Sequence, residues 1–236
     1  MTPALKFVIL RHPEPDDAFL RELVALREAG YSTRHGEVNV AADGYDPVST
    51  HVAVCAEGGG LRPLMGFRCT SALDCAAAGL PFPLAALLDA GTTEEHAAAV
   101  ADELEACRRA GRDATYLGMW TTDPALRRDR RLFSRVLRTM GALLVGLVAD
   151  EGAGQLLAGG LPRLGTDGFL GGHGMRRMTH NGAELPAIAV PHIPGETAVL
   201  MRLETFSASA LSAAAAQRAE WSQRLVLAPR VRARAA

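Results

Sequence analysis

The stretch that most constrains the fold is residues 114–150, which reads as a strand, a basic turn and a long helix. Residues 114–121 are mostly apolar, aromatic or β-branched, which is typical of a buried strand, and Gly118 within them allows a bulge or the close approach of a ligand. A capped, arginine-rich turn follows at residues 123–131, and apolar residues then recur at helical spacing over 133–148. A strand that leads directly into a helix indicates an α/β fold.

The basic turn has arginine at four of five successive positions, namely Arg127, Arg128, Arg130 and Arg131. The first N–H groups of a helix lack internal partners and the helix dipole is positive there, so the turn can hold an anion such as a pyrophosphate. A charge run is also commonly the solvated face of a helix. Since Lys6 is the only lysine, arginine supplies nearly all of the positive charge, and both interpretations stay open.

Composition excludes several classes of protein. The 236 residues are 48% hydrophobic, enough to bury a full core, and the net charge of −1 gives no general attraction to nucleic acid. The four cysteines have neither the spacing of metal ligands nor the density of a disulfide scaffold, which favours reduced thiols in the cytoplasm. The histidine spacing does not indicate a metal site either.

Two apolar runs are the candidate segments for membrane insertion. The run in residues 6–10 is far too short for the core of a signal peptide, and no small-residue cleavage site follows it. The most apolar helical run, residues 140–149, is shorter than the roughly 18 residues that span a bilayer. We therefore predict a cytoplasmic protein without a membrane span.

The remaining patterns alternate between strands and helices. Strands are predicted at 6–10, 50–55, 64–69, 155–161, 187–190 and 198–203, and helices at 19–30, 93–109 and 208–225. Two short alanine- and leucine-rich pieces lie at 72–79 and 84–90. Glycines at 58–60 predict a hairpin, and the glycine-dense run 165–174 predicts a loop. The predicted fold is α/β, with a mixed, mostly antiparallel sheet flanked by helices. We divide it into one domain at 1–206 and a C-terminal helix with a basic, frayed tail at 207–236.

A polar segment and the hairpin after it carry a family resemblance. The motif is Asp43-Gly44-Tyr45-Asp46, followed by Ser49 and His51 and then by Gly66-Phe67-Arg68, with Arg68 placed 22 positions after Asp46. In this pattern the chain resembles the acyl-homoserine-lactone synthases and the related N-acyl amino acid synthases of the GNAT superfamily of acyltransferases. The resemblance covers roughly residues 6–160. Arg21 and Tyr31 stand where those synthases have an arginine and usually a tryptophan.

The resemblance implies a GNAT-like fold in which the central strand, turn and helix hold an acyl thioester. The thioester carbonyl would lie against Met119, Trp120 and Thr121, where a bulged strand frees a backbone N–H for an oxyanion. The arginines at 127–131 would meet the pyrophosphate of acyl-CoA or the acidic helix of an acyl carrier protein. The sequence does not choose between these two donors. Trp120 is the aromatic residue to test first, because a tryptophan beside a bulge is unusual for simple packing.

The acids available to an amine acceptor are Asp43, Asp46 and Glu37. Asp43 and Asp46, with Arg68 reaching from the hairpin, would form a charge-balanced cluster that orients an amino group, or Arg68 would hold an acceptor carboxylate. The competing interpretation is structural, with both aspartates fixing a turn that Arg68 pins in place. Substrate contacts are assigned to Arg21, Tyr31 and His51, although His51 also fits a hydrogen-bonded core residue.

We therefore predict an N-acyltransferase that moves an acyl group from acyl-CoA or acyl carrier protein to a small, amino-acid-like amine. One alternative is a lactone-forming autoinducer synthase, and another is a non-catalytic GNAT-like module that binds a ligand or partner, since the turn lacks the glycines usual for the acetyl-CoA motif. A third is a protein that binds partners through its arginines. No metal cofactor, nucleic-acid partner or membrane partner is predicted, and an acyl carrier protein is a possible partner.

Overall fold

One mixed sheet organises the chain in a computed structural model that describes residues 3–36, 38–58, 60–88 and 93–228. The strands are β1 (Leu5–Arg11), β2 (Thr50–Glu57), β3 (Leu61–Ser71), β4 (Ala114–Thr122), β5 (Gln155–Gly160), β6 (Met175–Arg177), β7 (Thr179–His180), β8 (Ala183–Glu184), β9 (Ile188–Ala189), β10 (Thr197–Leu203) and β11 (Leu225–Leu227). Their order in the sheet is β11-β1-β2-β3-β4-β5-β10-β6, and β9 also pairs with β10. The short β7 and β8 form a separate hairpin.

Most neighbouring strands run antiparallel, but β4 and β5 are parallel, as are β1 and β11. The predicted hairpin of β2 and β3 is confirmed, with Val52 opposite Phe67 and Val54 opposite Met65. The predicted mixed α/β architecture is likewise confirmed, with helices on both faces of the sheet.

The helices are α1 (Ala18–His35), α2 (Ala72–Ala78), α3 (Pro83–Leu88), α4 (Glu94–Arg109), α5 (Arg130–Ala149), α6 (Thr166–Gly172), α7 (Ala208–Ala216) and α8 (Arg218–Ser222). On one face, α1 packs on the sheet through Leu20 and Leu23, which contact Val8 and Leu10. On the other, α5 inserts Val136, Met140 and the leucines of its second half into the largest core cluster. The sheet therefore separates an α1 face from an α5 face.

The predicted turn ahead of α5 is confirmed as a 3₁₀ turn at Pro124–Arg128, and α5 begins at Arg130. Three other local predictions are wrong in their details. Helix α1 continues through Gly30 to His35. The run 165–174 is largely helical, because Gly165 adopts a left-handed conformation ahead of α6 and Leu170 is buried. The final helix breaks at Gln217 and is followed by a strand, β11, that pairs with β1.

The C-terminal segment packs on the main body of the protein. Helix α7 lies against α5, and the Trp221 ring of α8 lies 5.7 Å from the Phe7 ring of β1. The division of the chain at residue 206 remains a prediction, and the tail at 229–236 lies outside the described residues.

Helix α5 is long and apolar enough to cross a membrane by length and composition, and it is the one such helix in the described parts of the chain. It extends ten residues further toward the N-terminus than the run at 140–149 that the sequence singled out. About 56% of the stretch is buried inside the protein, as in the core helix of a soluble domain.

Candidate functional site

A gap opens in the sheet where β4 and β5 separate. The two strands pair in parallel from Ala114 and Gln155 up to Leu117 and Ala158. Beyond these residues β4 continues to Thr122 and β5 continues to Gly160, with no further pairing between them in the described structure. The splayed ends leave strand-edge backbone groups facing the space between them, which can bind an extended ligand.

A β-bulge lies in β4 at the start of this gap. Gly66 of β3 pairs with Thr121 and Arg68 pairs with Gly118, so that Met119 and Trp120 together oppose Phe67. Met119 has a positive φ of 55°, which is uncommon for a residue with a side chain. The predicted bulge is therefore confirmed beside Gly118, and it interrupts the regular ladder at the edge that the thioester was expected to use.

Trp120 stacks on Phe67 with its ring centroid 4.6 Å away and the two planes 11° apart. This packing accounts for the tryptophan beside the bulge. Its indole Nε1 is buried and has no hydrogen-bond partner among the described residues. Leaving a buried N–H donor without a partner costs free energy, and a hydrogen bond from a ligand would remove that cost. Trp120 Nε1 is therefore a donor available to a ligand beside the gap.

Two glycines and a tyrosine form the floor of the gap on the α1 face. The Tyr116 ring packs against Gly118, where a Cβ would come within 2.7 Å of the ring, and its hydroxyl lies beside Gly159. Burial raises the pKa of Tyr116 to about 12, although the positive charge of Arg68 opposes this. Tyr116 thus keeps its proton near neutral pH, and the sequence reasoning did not identify it.

The three predicted residues Asp43, Asp46 and Arg68 lie together on the same face. Arg68 Nη1 donates to Asp43 Oδ1 at 2.6 Å and to Asp46 Oδ1 at 2.8 Å. A fourth residue, Arg27, donates from both terminal nitrogens to the two oxygens of Asp46, at 3.0 and 2.9 Å. We call these four residues the Asp–Arg cluster, and their formal charges cancel.

Asp46 is the buried centre of the cluster, with only 1% of its surface exposed. Burial alone would raise the pKa of its carboxyl. The hydrogen bonds and charge of Arg27, with the charge of Arg68, outweigh that effect and hold the pKa far below its usual range. A carboxylate so strongly committed to its partners is a poor proton acceptor. Asp43, whose side chain is 35% exposed, is the carboxylate of the cluster that can reach a ligand.

Arg27 lies on α1 at helical spacing after Leu20 and Leu23, on the face that contacts the sheet. Its Nε also donates to the Val40 carbonyl at 2.6 Å, which ties the polar segment to the helix. An arginine on an apolar helix face is the signal that could have identified it. Arg21, the arginine assigned from the resemblance, is exposed on α1, and no hydrogen bond or ion pair joins it to the cluster among the described residues.

His51 and Tyr31 lie next to the cluster. His51 is buried, and its Nε2 is 2.9 Å from the Asp46 carbonyl oxygen, so a neutral ring donates there and supports the loop. Burial lowers the pKa of His51. Burial, and then the neighbouring Tyr116, raise the pKa of Tyr31, and the charges of Arg27 and Arg68 oppose this shift. Substrate contacts by either residue remain predictions. Glu37 lies outside the described residues.

Gly30 allows α1 to approach β4 at this site. A Cβ there would overlap Thr121 Oγ1 and lie 3.2 Å from the Thr122 carbonyl oxygen, which explains why a glycine occupies the middle of a helix. We expect Gly30→Ala to lower the free energy of unfolding by about 1–3 kcal/mol, as overpacking usually does. Chemical denaturation would measure it.

Gly168→Ala is the matched control for this change. Gly168 lies in α6, where a Cβ meets nothing within 4 Å, so alanine there should be neutral or stabilise by up to about 1 kcal/mol. Equal effects of the two changes would contradict a close contact between α1 and β4.

The basic turn ends with Asp129 at the start of α5. Asp129 Oδ1 accepts hydrogen bonds from the backbone N–H groups of Arg131 and Leu132, at 3.1 and 3.0 Å. This carboxylate therefore occupies part of the helix terminus that was expected to hold a pyrophosphate. The side chains of Arg127, Arg128, Arg130 and Arg131 are exposed, and their role in donor binding remains a prediction.

The gap and the Asp–Arg cluster together can bind two ligands, one between the strands and one on the α1 face of the sheet. A gap with a bulged edge can take an extended arm, and the Asp–Arg cluster with Tyr116 faces it from the α1 side. The described residues contain no group of three or more His, Cys, Asp or Glu side chains placed to hold a metal ion.

Comparison with known proteins identifies solved structures that have a similar fold. No family model and no curated protein matches the chain. Among solved structures, it is similar to BjaI, a CoA-dependent acyl-homoserine lactone synthase, with a TM-score of 0.55 and 14% identity over 97% of this chain and 96% of that one. It is also similar to ElaA from Escherichia coli, with a TM-score of 0.51 and 15% identity over 85% of this chain and 100% of that one.

A third similar structure is FeeM, an N-acyl amino acid synthase from uncultured soil microbes. Its TM-score is 0.50 and its identity 16%, over 86% of this chain and 91% of that one. Identities this low describe the fold and leave the substrates open. The chain has the fold of the GNAT-type acyltransferases.

Proposed function

We propose that this protein is an N-acyltransferase that moves an acyl group from acyl-CoA or an acyl carrier protein to the amine of a small, amino-acid-like acceptor. The observation that carries the proposal is the position of the Asp–Arg cluster and Tyr116 beside the gap between β4 and β5. The acyl-transfer class is supported by the similar structures, which include N-acyltransferases.

The donor would lie in the gap with its thioester carbonyl at the bulge. There the backbone along Met119, Trp120 and Thr121 departs from the regular ladder, so an N–H group is free to stabilise an oxyanion. Each such hydrogen bond typically contributes about 10²–10³-fold to the rate of acyl transfer.

The acceptor would approach from the α1 face. Asp43, the exposed member of the Asp–Arg cluster, would orient its amino group, while Asp46 stays committed to Arg27 and Arg68. The neutral amine attacks the thioester carbon, the C–N bond forms and the C–S bond breaks, and the amine passes its extra proton to the Asp43 carboxylate and from there to solvent. Tyr116 would donate a proton to the departing thiolate, since it remains protonated at neutral pH, and would regain one from solvent.

A lactone-forming synthase is the alternative within the same class, because BjaI has also been solved with SAM and isopentyl-CoA. The two are separated by the acceptor, an amino acid in one case and SAM in the other. A binding module without turnover is the second alternative, and it is supported by Asp129 filling the start of α5. The four described thiols are buried and free, which supports our placement of the protein in the cytoplasm.

The test is release of free thiol from acyl-CoA of several chain lengths, or from acyl carrier protein, with a panel of amino acids and SAM. We expect turnover with at least one pair, and we expect Asp43→Asn to lower kcat/KM by about 100-fold because the amine loses its orienting charge. Product mass identifies an amide or a lactone.

Asp102→Asn is the matched control, since Asp102 is an exposed aspartate on α4 whose side chain is 79% accessible. It should leave turnover unchanged. Tight binding of acyl-CoA without thiol release from any acceptor would contradict the enzyme and favour the binding module.

A further inference from the structure

A second cavity lies at the start of β4, at the other end of this strand from the bulge. Its volume is about 270 Å³, which is room for about nine water molecules at about 30 Å³ each. Its floor is formed by strand residues on the α5 face of the sheet, namely Thr50, Cys69, Ser71 and Thr115. Leu147 of α5 and Ala153 of the segment after α5 close it from the other side.

The second cavity is separate from the gap. On β4, Leu117 follows Thr115 on the same face, and on α5, Leu144 and Met140 precede the cavity by about one and two turns. Leu117, Leu144 and Met140 are at most 1% exposed and belong to the largest core cluster. A ligand in the second cavity therefore does not reach the bulge, and the described residues that line it include none of those assigned to acyl transfer.

One wall of the second cavity is negative. It contains Asp74 and Asp113, and Ser71 joins the two residues, because its hydroxyl donates to Asp113 and accepts from the Asp74 backbone N–H. Asp113 Oδ1 also accepts from two backbone N–H groups, at 3.2 and 2.8 Å. These donors are uncharged, and Asp74 has only His12 Nε2 at 3.6 Å. Among the described residues no guanidinium is paired with either aspartate.

The wall at the end of β1 is positive. Arg11 and Glu151 line it, and Glu151 is paired with both Arg11 and Arg224. Two guanidinium groups thus share one carboxylate, which leaves one positive charge in excess. The Glu151 side chain is only 4% exposed, whereas that of Arg11 is 45% exposed. Arg11 is therefore the charge on this wall that a ligand can reach.

Apolar surface lies between the two charged walls. Leu147 and Ala153 line the cavity, and Leu73 at its rim is 68% exposed, more than any other large hydrophobic residue in the described parts of the chain. An alkyl chain covering Leu73 would remove that surface from water. Strand β2 separates β1 from β3, so the strands that carry Arg11 and Ser71 are about 10 Å apart.

We propose that the second cavity binds an aliphatic ω-amino acid, a zwitterion with its ammonium and carboxylate groups at opposite ends of a short alkyl chain. The ammonium would pair with Asp74 and Asp113, and the carboxylate would pair with Arg11. The chain between them would cover Leu73. A simple amine or a fatty acid matches one wall only, and an α-amino acid carries both charges on one carbon. The proposal does not depend on acyl transfer at the gap.

The test is NMR titration of the ¹⁵N-labelled full chain with 6-aminohexanoate, hexylammonium, hexanoate and norleucine. Norleucine is an isomer of 6-aminohexanoate, and each of the other two lacks one charge. The backbone amides of Ser71, Thr115 and Gly152 report on the second cavity, and the Trp120 indole N–H reports on the gap. We expect 6-aminohexanoate to shift the cavity signals and to bind at least about fivefold more tightly than the other three probes, the effect of one partly exposed charge pair.

Two variants assign each charge to its wall. Arg11→Gln should lower the affinity for 6-aminohexanoate about fivefold without lowering that for hexylammonium, and Asp74→Asn should do the same without lowering that for hexanoate. Their side chains are 45% and 38% exposed, so both variants should fold, which Tm verifies. Ala153→Leu, which fills the cavity and should weaken binding of 6-aminohexanoate, replaces a variant that does not fold. Asp102→Asn, an exposed position on α4, is the matched control and should change no affinity.

Three results would overturn the proposal. They are equal affinities for 6-aminohexanoate and norleucine, the absence of shifts at the cavity amides, and shifts at the Trp120 indole that Asp43→Asn removes, since these would place the ligand at the Asp–Arg cluster. Thiol release separates this site from the proposed enzyme. Cavity shifts without turnover of any acceptor contradict the enzyme alone, and turnover without cavity shifts contradicts this site alone.

Discussion

Asp46→Ala should lower the free energy of unfolding by about 3–5 kcal/mol, the usual cost of leaving a buried charge without its partner. Asp46 accepts hydrogen bonds from both Arg27 and Arg68, and the three residues are at most 5% exposed. Its removal leaves two guanidinium groups in a site that water reaches poorly. Urea denaturation followed by circular dichroism would measure the change.

Asp43→Ala provides the comparison within the same cluster. Asp43 pairs with the same Arg68 but is 35% exposed, so solvent weakens the pair and Arg68 retains Asp46. We expect a loss of at most about 1 kcal/mol. An Asp46→Ala protein as stable as Asp43→Ala would mean that the buried pairs do not support the fold.

The two aspartates of the Asp–Arg cluster differ in burial and therefore in what they can do. Asp46 supplies structure, since its pKa is held far below the usual range and its oxygens are fully used. Asp43 supplies the charge that a ligand can reach. The structural interpretation of the motif thus fits Asp46, the catalytic one remains a proposal for Asp43, and the sequence alone could not separate the two residues.

Local sequence patterns were enough to predict most of the fold. The strand, turn and helix from Ala114 to Ala149 and the hairpin of β2 and β3 follow from side-chain periodicity and turn residues, and the structure has them nearly as predicted. The exceptions depend on contacts between distant parts of the chain. Leu225–Leu227 becomes a strand because β1 offers an edge, and Gly30 stays helical because α1 touches β4 there.

The arrangement of the candidate site could be predicted only in part, namely where its residues are close to one another in the sequence. Asp43, Asp46 and Arg68 meet because a loop and the adjoining hairpin are close in sequence as well as in space. Arg27 joins them from α1, where an arginine on the apolar helix face can be recognised in the sequence, but its pairing with Asp46 of the following loop cannot.

Gly159→Leu should reduce kcat/KM for acyl transfer by 100-fold or more, of the order lost when reacting groups are displaced by about 1 Å. Gly159 lies on β5 beside the Tyr116 hydroxyl, and a Cβ there would make only ordinary contacts, 3.5 Å from that hydroxyl and 3.6 Å from Ala198. The strand can therefore accept a side chain, but the branched end of leucine would extend over the floor of the gap. Steady-state thiol release, with Tm for folding, measures both effects.

Gly168→Leu in α6 controls for adding a leucine to a glycine position, because a Cβ there meets nothing within 4 Å. It should retain full turnover. A blocked gap should also abolish binding of the acyl donor in Gly159→Leu, which separates obstruction from a slower chemical step. Undiminished turnover in a folded Gly159→Leu protein would mean that the reactants meet elsewhere, since a gap filled by leucine cannot admit a thioester beside Tyr116.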